Sequence, residues 1–135
     1  MNRITSTITE GNNVPLDQQR DSWKKNANPW TVTLRYQGRQ YTFPFWTGTG
    51  WTSKPNTFDA AHCVLSEASG FENSQGFEDW ASDYGYDTDS RDAEGIYRAT
   101  ERVHRNTKRL LGDDYRWFQT TLVYMDEETL QERTR

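Results

Sequence analysis

The feature that most restricts what this chain can fold into is the run SRDAEGIYRATERVHRNTKRLL, Ser90 to Leu111. Ala93, Ile96, Tyr97, Thr100, Val103, His104, Thr107, Leu110 and Leu111 recur in it at three- and four-residue spacings. At 3.6 residues per turn they share one side of a helix, while Arg98, Glu101, Arg102, Arg105 and Lys108 share the other. A long helix with one wet face needs a body to lie against, and the rest of the chain must supply it. Gly112 follows the pattern as a stop, and Lys108 and Arg109 sit where the negative end of the helix dipole favours cations.

That body begins at Trp30, where the period changes to two. Trp30, Val32, Leu34 and Tyr36 alternate with Thr31, Thr33 and Arg35; after a reversal at Gln37, Gly38 and Arg39, Tyr41, Phe43 and Phe45 alternate again. Two such runs around a glycine-containing turn form a β-hairpin with one aromatic face, and a hairpin alone is marginal in water. Pro44 cannot donate a ladder hydrogen bond, so its strand belongs at an edge or ends nearby.

Two shorter helices are expected between hairpin and long helix. The first spans roughly Phe58 to Ala68, capped by Asn56 or Thr57, with Phe58, Ala61, His62 and Leu65 inward and Cys63 and Val64 as further candidates for that face. After a loop, SGFENSQG, the second runs near Phe77 to Tyr84, with Phe77, Trp80, Ala81 and Tyr84 at core spacing and Gly85 suited to its C-terminal turn. Tyr115 to Met125 is ambiguous: Tyr115, Phe118, Leu122 and Met125 suit a helix, whereas its β-branched and aromatic content suits a strand from Thr120 onward. The expected architecture is α+β, a two- or three-stranded antiparallel sheet packed against about three helices.

Residues 1–29 read as a flexible or extended arm in which Ile4 to Thr9 has the makings of an edge strand and Trp23 is an anchor. Residues 30–125 form the single domain, and 126–135 an exposed tail. A mean hydropathy of -1.07 and 33% hydrophobic residues lean towards disorder. Six Trp, seven Tyr and six Phe reverse that inference, because each ring buries a large area and few aliphatic residues are then needed.

Several chemistries are excluded by what is missing. One cysteine, Cys63, permits no internal disulfide and fits a reducing compartment. Two histidines and that cysteine, with no CxxC or HxxxH spacing, argue against structural zinc. His62 and Cys63 adjoin, yet neighbours on a helix point about 100° apart and no oriented base is in sight. The GTG of Gly48 to Gly50 lacks both the GxxxxGK[ST] and the GxGxxG spacing. YDTDSRDAE offers Asp87 and Asp89 two apart, but Arg91 stands where a calcium loop needs a third oxygen ligand. No apolar run approaches the length of about 20 residues that spans a bilayer, and the amino terminus lacks the order of a signal peptide. No catalytic residue, metal or cofactor is expected.

Charge is distributed unevenly. Net charge is -4, but from Asp59 to Glu94 ten acids meet one base, Arg91, while the flanking segments are positive. Glu72, Glu78, Asp79, Asp83, Asp87, Asp89, Asp92 and Glu94 are candidate partner-binding residues, since acids held on one surface steer association with a basic channel. The plain alternative is that they are solvated helix faces near compensating bases. A different alternative is nucleic-acid binding through Arg98, Arg102, Arg105, Lys108 and Arg109 with exposed aromatic rings.

The run GFEDWASDYGYDTDSRDAEGIYRA, with upstream VTLRYQGRQYTFPFWTGTG and TSKPNTFDAAHCVLSEASGFEN, resembles a widespread group of small uncharacterised bacteriophage proteins. They share an FE-[DE]-W or FE-[DE]-F element, GYDTDSR, and a following Ala, Glu and Tyr, here Ala93, Glu94 and Tyr97; the match covers roughly Trp30 to Gly112. The resemblance implies a phage product acting in the host bacterial cytoplasm, and small acidic phage proteins are often antagonists of host defence. The expected role is then a non-enzymatic inhibitor of anti-CRISPR or anti-restriction type, whose partner is a host protein or nucleoprotein defence complex.

Overall fold

A computed structural model describes residues 4–12, 27–51, 53–74 and 76–121. Three strands, β1 (Thr5–Glu10), β2 (Asn28–Tyr36) and β3 (Arg39–Thr47), form an antiparallel sheet in that order. The helices are α1 (Thr57–Asn73), α2 (Phe77–Asp83), α3 (Arg91–Leu111) and, after a 3-10 turn at Gly112–Asp114, a short α4 (Tyr115–Thr121). The α+β architecture expected from the periodicities is present.

The hairpin register follows from its turn. Tyr36 pairs with Arg39, leaving Gln37 (φ 51°) and Gly38 (φ 78°) as a two-residue loop. Positive φ at both positions matches the right-handed twist of the strands it joins. This register sends Trp30, Val32, Leu34, Tyr36, Phe43 and Phe45 to the inner face, as period two requires. β1 adds Ile8 to that face, and Ile4, the residue before the strand, is buried too, so the folded unit takes in part of the arm expected over residues 1–29. Thr120 and Thr121, the expected start of a strand, are instead the last residues of α4; Trp23 and residues 122–135, with the rest of that expected strand and the exposed tail, lie outside the described residues.

The inner face rests on Ala60, Ala61, Val64, Leu65 and Ala68 of α1, on Leu110 and Leu111 of α3, and on Tyr115 and Phe118 of α4. Small alanines let α1 approach the aromatic sheet closely, and Phe118 fills the remaining space edge-on to Tyr36 at 5.5 Å. The ambiguous run resolves as helix at its start because Tyr115 and Phe118, one turn apart, both find burial. α1 starts with a capping box in which Asn56 Oδ1 accepts from the Asp59 amide and Asp59 Oδ2 accepts from the Asn56 amide, each at 2.9 Å. It runs to Asn73, past the end expected at Ala68, because Gly70 and Phe71 pack under α2 and α3. His62, expected inward, is exposed; the inward stripe of α1 passes one position to either side, through Ala61 and the half-buried Cys63. α3 starts at its Ser90 cap, and each residue assigned to its inner side is buried or half-buried.

Candidate partner-binding surface

α2 is short, and its sequence leaves it one apolar edge. Trp80 and Ala81 are buried, whereas Glu78, Asp79 and Asp83 are exposed. Its stability comes from aromatic packing, since a seven-residue helix is marginal by itself. Trp80 lies 5.4 Å from the Tyr97 ring of α3, while Phe77 meets Tyr97 edge-on at 5.5 Å. Phe71 of α1 closes the group at 5.4 Å from Tyr97. These rings make a satellite core apart from the one under the sheet.

The segment after α2 folds back on it. The Tyr86 amide donates to the Ala81 carbonyl at 2.8 Å, and the Tyr86 ring stacks on Trp80 at 5.2 Å with planes 9° apart. Asp87 Oδ1 then accepts from the Asp89 amide at 3.0 Å, and the Ser90 amide donates to the Asp87 carbonyl at 3.1 Å, so the acidic turn is held in one shape. Ser90 Oγ caps α3 by accepting from the Ala93 amide. Asp92 and Glu94 fall in the first turn of α3, where the helix dipole favours them.

The eight acids singled out from sequence do not behave alike. Glu78, Asp79, Asp83, Asp87 and Asp89 are exposed and form no ion pair among the described residues. Asp92 is exposed beside them. Glu94 is also exposed but pairs with Arg98 at 2.6 Å. Glu72 turns inward and drops out of the surface, a correction to the sequence reading. Its Oε2 accepts from Tyr115 Oη at 2.8 Å, from His104 Nε2 at 3.1 Å and from Gln119 Nε2 at 3.1 Å, while Oε1 meets Arg116 Nη1 at 2.7 Å. A carboxylate can only accept, so the His104 contact places a proton on Nε2. Burial alone would raise the Glu72 carboxyl; hydrogen bonds from Tyr115, Arg116 and His104 outweigh it and hold the carboxyl at about 2. Glu72 joins α1, α3 and α4, and its carboxylate is engaged within the fold by four donors.

A second correction concerns Tyr84. Placed at core spacing with Trp80, it is instead 55% exposed, because α2 ends at Asp83 and the ring leans over Gly70 and the edge of Trp80. An exposed tyrosine thus stands at the end of the acidic helix. Trp51, in the polar loop after β3, is the other large hydrophobic side chain that is exposed among the described residues.

The basic candidates are more compensated. Arg98 pairs with Glu94, and Arg105 pairs with Glu101 at 3.1 Å. Lys108 Nζ lies 5.8 Å over the Tyr115 ring, and Arg109 Nη2 donates to the Gln40 carbonyl at 3.4 Å. Arg102 is exposed on the same face. Among the described residues, no three His, Cys, Asp or Glu side chains come together as a metal site, and no helix is long and apolar enough to cross a membrane.

Comparison with protein-family models, with curated proteins and with solved structures returns no match.

Proposed function

We propose that this chain is a non-enzymatic binding protein whose acidic surface on α2 and the following turn docks on a basic, nucleic-acid-binding surface. The observation that carries this reading is the set of five exposed acids, Glu78, Asp79, Asp83, Asp87 and Asp89, without an ion pair among the described residues. They are presented by a rigid aromatic platform and accompanied by the exposed Tyr84. Surface acids normally gather compensating bases, and α3 follows that habit with two Glu–Arg pairs. Uncompensated like charges held in fixed positions cost folding free energy through repulsion and raise the rate of encounter with a cationic partner. A tyrosine beside them supplies the apolar contact that charge alone does not.

The sequence resemblance to small phage proteins supplies the identity of the partner in this proposal: a protein or nucleoprotein complex of host defence, of CRISPR or restriction type, met in the bacterial cytoplasm. The protein would occupy the channel in place of nucleic acid. Affinity capture from host lysate with the wild-type chain and with an Asp79→Lys, Asp83→Lys, Asp87→Lys, Asp89→Lys variant tests it. A nucleic-acid-binding complex retained by the wild type and lost by the variant is expected. Equal retention by both removes the electrostatic mechanism.

A further inference from the structure

Phe77, at the start of α2, and residues 94–105 of α3 line an open groove of about 480 Å³. Phe77 and Tyr97 line it with aromatic surface, and Arg98, Arg102 and Arg105 line it with guanidinium groups. The two rings are held before any ligand arrives: they meet at 67°, Trp80 backs both, and Phe71 backs Tyr97. The three arginines fall at i, i+4 and i+7, along one stripe of α3. Arg98 and Arg105 are tied to Glu94 and Glu101, both of which also line the groove. These side chains are exposed, with 68% accessibility on each arginine and 48% on each glutamate. Exposed pairs of this kind are weak, so little holds the two arginines to their glutamates. Arg102 forms no ion pair among the described residues.

Planar ring surface, fork-shaped donors and the carboxylates of Glu94 and Glu101 are therefore brought together in one depression of ligand size. A phosphate suits the bidentate geometry of guanidinium, a heteroaromatic base suits a fixed aromatic floor, and sugar hydroxyls suit carboxylates. We propose that this groove binds a nucleoside 5′-monophosphate unit. Its base lies against Phe77 and Tyr97, and its phosphate sits on Arg102, with Arg98 and Arg105 turning from their glutamates to join it. Of the eight acids read from the sequence the groove includes Glu94 alone, and none of the five on which the proposed docking rests, so either site can fail alone.

The test titrates the isotope-labelled full chain with each of the four ribonucleoside 5′-monophosphates, following amide shifts by NMR. Adenosine and inorganic phosphate are run as separate arms. At least one nucleotide is expected to give saturable shifts at Phe77 and across residues 94–105, binding at least tenfold tighter than adenosine or phosphate alone. Arg102→Glu should weaken it at least tenfold, and Lys54→Glu, on an exposed residue outside the groove, should leave it unchanged. No saturable shift with any of the four overturns the proposal, as does equal weakening by Lys54→Glu and Arg102→Glu, which would mark unspecific charge attraction. Phosphate binding as tightly as the nucleotides overturns the role of the rings.

Discussion

Tyr115 Oη donates to Glu72 Oε2 at 2.8 Å, joining residues 43 positions apart and fastening α4 to the end of α1. His104 and Gln119 converge on the same oxygen, so a single carboxylate ties three helices. Glu72→Ala leaves these donors facing a half-buried space without an acceptor. It is expected to destabilise the fold by about 2 kcal/mol, less than a fully buried pair because Glu72 keeps 23% of its side-chain exposure. Tyr115→Phe, which removes one donor and keeps the ring, should cost about 1 kcal/mol. Urea denaturation of both variants measures the difference, and equal stabilities would deny the hub its role.

The same carboxylate sets the acid sensitivity. Its pKa falls from an ordinary 4.5 to about 2 on folding, because the hydrogen bonds it accepts outweigh the cost of burial. A depressed carboxyl contributes stability that is present above its unfolded value and lost as pH falls through its folded value. Stability should therefore decline between about pH 4.5 and pH 2, and Glu72→Gln should flatten that decline while lowering stability at neutral pH. Thermal melts across this range check the sign.

At the alkaline end Tyr36 acts in the opposite direction. Burial, and then its hydrogen bond to Asp114 at 2.5 Å, raise its phenol from 10.0 to about 12. A group held neutral above its ordinary value contributes stability that is complete below pH 10 and vanishes as pH rises towards 12. Tyr36→Phe should reduce alkaline unfolding in that window, as followed by circular dichroism.

Gly112 ends α3 at φ 56° and ψ -131°, a region that residues with a β-carbon avoid. A Cβ there would also lie 3.0 Å from Arg39 Nη2, and Arg39 Nε donates to the Leu110 carbonyl at 2.8 Å at the negative end of the helix. Gly112→Ala combines backbone strain with displacement of that arginine. A loss of about 1–3 kcal/mol in denaturant unfolding is expected.

Tyr84→Ala separates binding from folding. The ring is more than half exposed, so its removal should change stability by less than about 0.5 kcal/mol. Affinity for the partner should nevertheless fall by about 1 kcal/mol or more, since aromatic anchors dominate interfaces. Trp80→Ala, by contrast, removes the ring against which Tyr86 stacks and should cost about 3–5 kcal/mol of stability.

The parts of this fold that could be read from sequence are those whose signal is local and periodic. The inner stripe of α3 from Ala93 to Leu111 and the alternation of Trp30 to Phe45 each repeat often enough to identify an element and its buried face. The burial of Trp80 and the exposure of Asp79 and Asp83 follow from the same stripe logic on α2. Glu72 was illegible because its partners stand 32 to 47 residues away and nothing beside it distinguishes it from its acidic neighbours. Tyr84 was misassigned because helical spacing assumes that the helix continues, and α2 stops one residue earlier. The outer face of the sheet also escaped notice. There Thr33 and Thr42 join hydroxyls at 2.8 Å and Arg35 reaches Thr7 at 2.7 Å, a pairing that depends on register.

In the proposed function the exposed acids of α2 are the contact with another macromolecule. The most direct measurement is the dissociation constant of the captured complex, by biolayer interferometry at low and high salt, for the wild type and for Glu78→Lys, Asp79→Lys, Asp83→Lys. These three positions are exposed and lie outside the hydrogen-bonded turn; because Glu78 and Asp79 sit in the first turn of α2, a circular-dichroism melt of the variant accompanies the measurement. An affinity that falls with salt and a variant at least tenfold weaker are expected. An affinity indifferent both to salt and to the three reversals would contradict that contact.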